Sequence, residues 1–186
     1  MGKKKTNSEI QDAIVTAHKM KKKADWGATG PWKTLDKDWN YDTIAIHHSG
    51  NRGEKDPKAI EKLHKDKGYD DVGYHYMIHP DGTFYEGREI QFKGSHVSMQ
   101  NTGKIGVLMM GDFDEQVLDL DDDDLTDSHL KCLKDLIKTL KRHFDIKTLG
   151  GHKEFFKKGK YSCPGNLIMD KMASLRTEFS LAAPQA

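Results

Sequence analysis

The sequence has few cysteines, no long hydrophobic run and almost no net charge. Two cysteines in 186 residues, Cys132 and Cys163, exclude a disulfide framework and predict free thiols in a reducing compartment. No run of about eighteen apolar residues occurs, and the lysine-rich N-terminus lacks a signal-peptide core, so neither a transmembrane segment nor a leader is predicted. Thirty basic against twenty-nine acidic side chains give a charge of +1, which argues against a nucleic-acid partner.

The chain length fits one domain with a short appendage. We expect a basic N-terminal helix and irregular lead-in over residues 1–38, a main domain over residues 39–178 and a tail over residues 179–186. Ser8 to Gln11 has the form of a capping box and predicts a helix over residues 8–20. Seven lysines within the first 23 residues indicate either a solubilising end or contact with an anionic surface.

The main domain alternates short apolar runs with helical patterns, which predicts an α/β fold. The expected elements are a strand over 43–48, a helix over 57–67, a hairpin around residues 80–82, a strand over 105–110, a helix from Thr126 to Phe144 and a strand over 146–149.

The long helix carries an apolar stripe that should face the core, with Cys132 beside it as a small hydrophobe. Its members are Leu130, Leu133, Leu136, Ile137 and Leu140. His18, His129 and His143 hold polar helix positions and are expected at the surface. The acidic DLDDDDL stretch lacks the ligand spacing of an EF-hand, so it predicts a solvated loop.

Three residues have the chemistry of a metal site. His47 ends a predicted strand, and His152 and Cys163 bracket a loop after another. Two imidazoles and one thiolate can hold a catalytic zinc that keeps one position open for water. The spacing alone is weak evidence, because the two histidines lie 105 residues apart (152 − 47) and neither HExxH nor CxxC occurs.

Six blocks strengthen this interpretation. They are IAIHHSG, KLHKDKGY, DDVGYHYMIHPDGTFYEGR, KGSH, IGVLMMGDF and GHKEFF with SCPG. In order and spacing they resemble the zinc-dependent N-acetylmuramoyl-L-alanine amidases of the type 2 family, over about residues 40–170. This family includes phage lysozyme-amidases and peptidoglycan recognition proteins. The resemblance implies a single domain with a central mixed β-sheet flanked by helices, a monomer, and zinc bound by His47, His152 and Cys163.

The resemblance also implies a reaction and further site residues. The substrate is peptidoglycan, and the bond cleaved joins N-acetylmuramic acid to L-alanine of the stem peptide. Tyr74 falls on a tyrosine that acts near the metal, although a packed strand tyrosine is the alternative. Where relatives carry a catalytic lysine or threonine two residues before the cysteine, this chain has Tyr161 and, one residue earlier, Lys160. Either is a candidate for that role.

The predicted substrate contacts are His96 first, then His48 and His64, all in matching blocks. The chain departs from the family pattern at Leu108, where the recycling amidases use a glutamate. This departure favours the branch that uses Tyr74 over the recycling branch. A second departure is Gly103-Lys104, where relatives often have Asn-Ser. We therefore expect one family contact to the sugar or peptide to be missing.

An enzyme is the leading hypothesis because Cys163 is retained. A non-catalytic muropeptide-binding module and a regulatory partner of another protein are the alternatives. Without a signal peptide, a protein made in the cytoplasm needs another route to peptidoglycan in the periplasm or cell wall. An endolysin released by a holin and a secreted antibacterial effector neutralised by an immunity protein both solve this.

Overall fold

A computed structural model describes residues 5–50, 56–114, 124–157 and 161–185. These ranges contain five strands: β1 (Thr43–His48), β2 (Tyr76–Ile78), β3 (Phe84–Glu86), β4 (Lys104–Met109) and β5 (Thr148–Gly151). They also contain four α-helices: α1 (Asn7–Ala17), α2 (Pro57–Asp66), α3 (Asp127–His143) and α4 (Asn166–Phe179). The predicted strands and helices are confirmed with small shifts at their ends, whereas α4 was not predicted.

The strands form one mixed sheet in the order β3-β2-β4-β1-β5. β1 lies between β4 and β5 and is parallel to both, while β2 is parallel to β4 and antiparallel to β3. All six residues of β1 are buried, as expected for a parallel strand that is covered on both faces. The predicted α/β fold with a central mixed sheet is therefore confirmed.

The long helix α3 packs its apolar stripe into the main core. Thr126 caps it by accepting a hydrogen bond from the His129 backbone N–H at 3.1 Å. The fully buried members of the stripe are Leu133, Leu136, Ile137 and Leu140. Leu130 and Cys132 are partly buried against the same core, as predicted.

His129 corrects the prediction for the polar face of α3. Its side chain is fully buried rather than exposed. Its Nε2 lies 3.1 Å from the carbonyl oxygen of Ile78, which can only accept, so Nε2 donates. The Phe113 ring lies edge-on to it at 5.4 Å. The buried face of α3 is therefore wider than its leucine stripe, because the helix packs against β2 at its N-terminal end.

The N-terminal helix begins earlier than predicted and uses a different cap. Thr6 Oγ1 accepts from the Glu9 backbone N–H at 3.2 Å, and the Glu9 carboxylate accepts from the Thr6 backbone N–H at 2.7 Å. This capping box replaces the one expected at Ser8, because Ser8 already lies within the helix. Ile14 and Val15 are buried in the main core, so α1 packs against the sheet domain.

Two predictions lie outside the described residues. They are the solvated loop at residues 119–123 of the acidic stretch and the position of Lys160. Among the helices that the structure describes, none combines the length and apolar character needed to cross a bilayer.

Candidate active site

The three predicted metal ligands meet at the carboxyl ends of β1 and β5. Because these strands are parallel neighbours, His47 near the end of β1 and His152 just after β5 lie side by side. Their ring centroids are 4.7 Å apart. Cys163 approaches from the loop before α4, where its carbonyl oxygen accepts from the Lys153 backbone N–H at 2.9 Å. Carboxyl ends of parallel strands are where open α/β sheets place ligands.

The arrangement fits a tetrahedral zinc ion. One ligand atom from each of His47, His152 and Cys163 lies within 4.8 Å of the others, and His47 Nδ1 is 3.8 Å from Cys163 Sγ. Bonds of about 2.0–2.3 Å at tetrahedral angles place ligand atoms roughly 3.3–3.8 Å apart, so only a small contraction is needed. Within the described part of the chain, the buried Nδ1 of His152 has no hydrogen-bond partner, so it can serve as a ligand atom.

Burial determines the protonation of these three groups. Desolvation, with smaller effects of neighbouring histidines, lowers the pKa of His47 well below its ordinary value and that of His152 to about 4. Both imidazoles are therefore neutral at pH 7 and can each offer a lone pair. Desolvation raises the pKa of the Cys163 thiol to about 12, so a bound metal must displace its proton.

Close backbone packing holds the Cys-Pro-Gly turn beside the two histidines. Gly165 has a φ of +89°, and a Cβ on it would lie 2.2 Å from the carbonyl oxygen of Phe113. The same oxygen accepts a hydrogen bond from the Leu167 backbone N–H at 3.1 Å. Residue 165 must therefore be glycine, both because its φ is positive and because a Cβ would clash with the Phe113 carbonyl oxygen. The loop after β4 thereby fixes the position of Cys163.

An open cavity of about 280 Å³ lies over the three ligands. Aromatic and polar side chains from α2, from the segments after it and from the loop before α4 form its walls. The lining residues besides the ligands include His48, His64, Lys67, Tyr69, Tyr74, His96 and Tyr161. A concave surface of this composition next to a candidate metal site is suited to binding a substrate.

Two of the three predicted catalytic side chains border this cavity. The ring of Tyr74 lies 5.0 Å from that of His47, and the ring of Tyr161 lies 4.7 Å from that of His152. Tyr161 also contacts Phe156 at 4.7 Å. Lys160 lies outside the described residues, so the structure compares only the two tyrosines. Their catalytic roles stay predictions.

The three histidines predicted to contact substrate are largely buried. His48 is 8% exposed, and its Nδ1 accepts from the Phe113 backbone N–H at 3.2 Å. His64 is 5% exposed, and its Nδ1 accepts from the Gly73 backbone N–H at 3.0 Å. His96 is 9% exposed, and its Nδ1 lies 3.1 Å from His47 Nε2. All three border the cavity, and their contact with substrate stays a prediction.

The sequence interpretation overlooked several residues that shape the site. His75 is fully buried, with Nδ1 accepting from the Gly106 backbone N–H and Nε2 donating to the Phe92 carbonyl, both at 2.9 Å. Lys67 and Tyr69 line the cavity, although only His64 of their block, KLHKDKGY, was a candidate for substrate contact. The predicted hairpin offered a signal for His75, because alternation along its first strand would place His75 on the face opposite Tyr74, although β2 begins only at Tyr76.

Residues 36–166 match the family model described as N-acetylmuramoyl-L-alanine amidase, and the chain belongs to this family. It is 32% identical over 125 residues to an endolysin of Escherichia phage T7, covering 66% of this chain and 80% of that protein. It is 26% identical over 161 residues to peptidoglycan-recognition protein SC2 of Drosophila melanogaster, covering 81% and 82%. The solved N-acetylmuramoyl-L-alanine amidase LysC of Clostridium intestinale matches with a TM-score of 0.71 and 26% identity, covering 83% of this chain and 95% of that one. The predicted family is confirmed.

Proposed function

We propose that the protein is a zinc-dependent amidase that hydrolyses the bond between N-acetylmuramic acid and L-alanine in peptidoglycan. The observation that carries this proposal is the cluster of His47, His152 and Cys163 at the base of an open cavity. Family membership supports the reaction. Two imidazoles and a thiolate match the preference of zinc, and three protein ligands leave one position for catalysis.

The residues around the cluster have distinct proposed roles. When bound, the ion would supply Lewis acidity and an activated water at neutral pH. Tyr74 and Tyr161, whose rings lie against His47 and His152, would donate hydrogen bonds to the scissile carbonyl oxygen as negative charge develops. Lys160 competes with Tyr161 for this role. The proposed substrate contacts are His96, His48 and His64.

The two cysteines provide a direct test. We expect Cys163→Ala to abolish the release of stem peptides from purified sacculi, because a metal ligand is lost. Cys132→Ala should retain release, since Cys132 lies on α3 and does not line the cavity. Chelation should stop the wild-type reaction, and added Zn²⁺ should restore it. Mass analysis of products from defined muropeptides identifies the cleaved bond, and unchanged release by Cys163→Ala would contradict the proposal.

A muropeptide-binding module without activity is the second candidate, and the similarity to a peptidoglycan-recognition protein favours it. The presence of the complete His-His-Cys cluster favours the enzyme. Co-sedimentation with sacculi that is not accompanied by peptide release from the zinc-loaded wild type would select the binding module.

The similarity to phage endolysins supports delivery to the cell wall by release from a host cell. A holin is the partner that we propose for this release. A secreted antibacterial effector with an immunity protein is the alternative route. A neighbouring reading frame that encodes either partner distinguishes the two. We further propose that the protein acts as a monomer.

A further inference from the structure

A chain of hydrogen bonds leads from His47 away from the proposed metal position and into the protein. His47 Nε2 lies 3.1 Å from His96 Nδ1, and His96 Nε2 lies 3.3 Å from the carbonyl oxygen of Lys104. His47 is 1% exposed and His96 is 9% exposed, so both bonds are shielded from water. The two imidazole planes meet at 85°, with ring centroids 5.0 Å apart.

The last acceptor in this chain determines where each proton lies. A carbonyl oxygen only accepts, so His96 Nε2 must carry the hydrogen that it donates to Lys104. A neutral His96 then has its lone pair on Nδ1, and His47 must donate from Nε2. A neutral His47 keeps its lone pair on Nδ1. That nitrogen is the one that lies 3.8 Å from Cys163 Sγ, on the proposed metal.

Two glycines fix the orientation of the His96 ring. A Cβ on Gly94 would lie 2.4 Å from His96 Cδ2, and a Cβ on Gly106 would lie 2.5 Å from the same atom. The backbone N–H of His96 also donates to Asn101 Oδ1 at 2.8 Å. The flat ring therefore fills a slot between two stretches of backbone that lack side chains.

We propose that His96 is a positioning residue that selects the tautomer and the ring orientation of the metal ligand His47. This inference rests on the proposed metal site and replaces substrate contact as the main role of His96. Partners that hold the second nitrogen of a ligating histidine typically change metal affinity by about 10–100-fold when they are removed. The effect is exerted on metal binding in the absence of any substrate.

The test measures Zn²⁺ affinity of the full chain by competition with a chelator. His96→Leu removes the acceptor and should weaken binding by about 10–100-fold. His96→Asn should recover most of this loss, because its side-chain oxygen can accept from His47 Nε2. His129→Leu is the matched control, since it removes another fully buried histidine bonded to a carbonyl, and its affinity should equal that of the wild type.

A second measurement needs neither metal nor a variant. Nitrogen-15 NMR of the imidazoles in the metal-free wild type should show His47 protonated on Nε2 and unprotonated on Nδ1. The opposite tautomer, or equal Zn²⁺ affinity in the wild type and His96→Leu, would overturn the inference. A wild type that binds no Zn²⁺ contradicts the proposed metal site instead, and the tautomer measurement still decides the role of His96 even if His96→Leu does not fold.

Discussion

Single residues around the cavity divide into those that offer a lone pair and those that offer a proton. His48 and His64 each use Nδ1 to accept a backbone N–H, so their Nε2 atoms carry hydrogen. Desolvation lowers the pKa of both, in the case of His64 to about 4, so both are neutral at pH 7. As neutral donors on the cavity wall they suit carbonyl and hydroxyl oxygens of a glycopeptide rather than its carboxylates.

At this scale an experiment can decide between Tyr161 and Lys160 as the catalytic donor. Tyr161 borders the cavity with its ring against His152, so we propose its hydroxyl as the donor to the carbonyl oxygen. We expect Tyr161→Phe to lower kcat by about 100-fold or more, with little change in KM, because the donor acts on developing charge. Lys160→Met, the neighbouring control, should leave kcat close to the wild-type value in steady-state assays on defined muropeptides. The reverse pattern would assign the role to Lys160.

At the scale of elements, two connections determine where the ligands lie. α4 supports the turn that carries His152, because Arg176 forms an ion pair with Glu154 and donates from Nε to the Leu149 carbonyl at 2.8 Å. The Glu154 carboxylate in turn accepts from the Gly151 backbone N–H at 2.8 Å. The Cys-Pro-Gly turn at the start of α4 carries the remaining proposed ligand, Cys163. α4, which the sequence did not predict, thus supports the segments that carry both His152 and Cys163.

Gly165 offers a test of this support. Gly165→Ala should lower the free energy of unfolding by about 3 kcal/mol, since a Cβ would lie 2.2 Å from the Phe113 carbonyl oxygen and φ is +89°. It should also weaken the proposed Zn²⁺ binding. Gly68 also has a positive φ, +78°, but a Cβ added there would have no atom within 4 Å. Gly68→Ala should therefore lower the free energy of unfolding by only about 1–2 kcal/mol and leave Zn²⁺ binding unchanged. Denaturant unfolding and metal analysis make the comparison. Equal losses in both variants would show that φ alone matters.

At the scale of the whole molecule, the lead-in before β1 is built into the fold. Lys21 exchanges backbone hydrogen bonds with Phe84 and Glu86 at 2.9 Å, which covers the edge of the sheet at β3. Lys23 forms an ion pair with Asp71 at 2.6 Å, with the two side chains 13% and 1% exposed. The boundary predicted at residue 38 therefore stays a proposal about sequence organisation and does not mark a separable part.

Neighbouring aspartates test this integration. Asp71→Ala should lower the free energy of unfolding by about 3–5 kcal/mol, because it leaves the buried charge of Lys23 without its partner. Asp70→Ala breaks the ion pair with Lys33, in which the Lys33 side chain is 62% exposed and the Asp70 side chain is 47% exposed. It should lower the free energy of unfolding by only about 0–1 kcal/mol. Urea unfolding curves of the two variants check this. A small loss for Asp71→Ala would mean that the lead-in contributes little to stability.

The sequence by itself determined the α/β alternation, the strand that carries His47 near its end and the stripe of α3, because these depend on local periodicity. The three proposed ligands could be predicted from the resemblance of six blocks to a known family, and not from the spacing of the ligands alone. Only the tertiary structure decided that His129 is buried and that His96 turns its Nδ1 toward His47. Both depend on partners 51 and 49 residues away in the chain, and no local pattern encodes a hydrogen bond across such a distance.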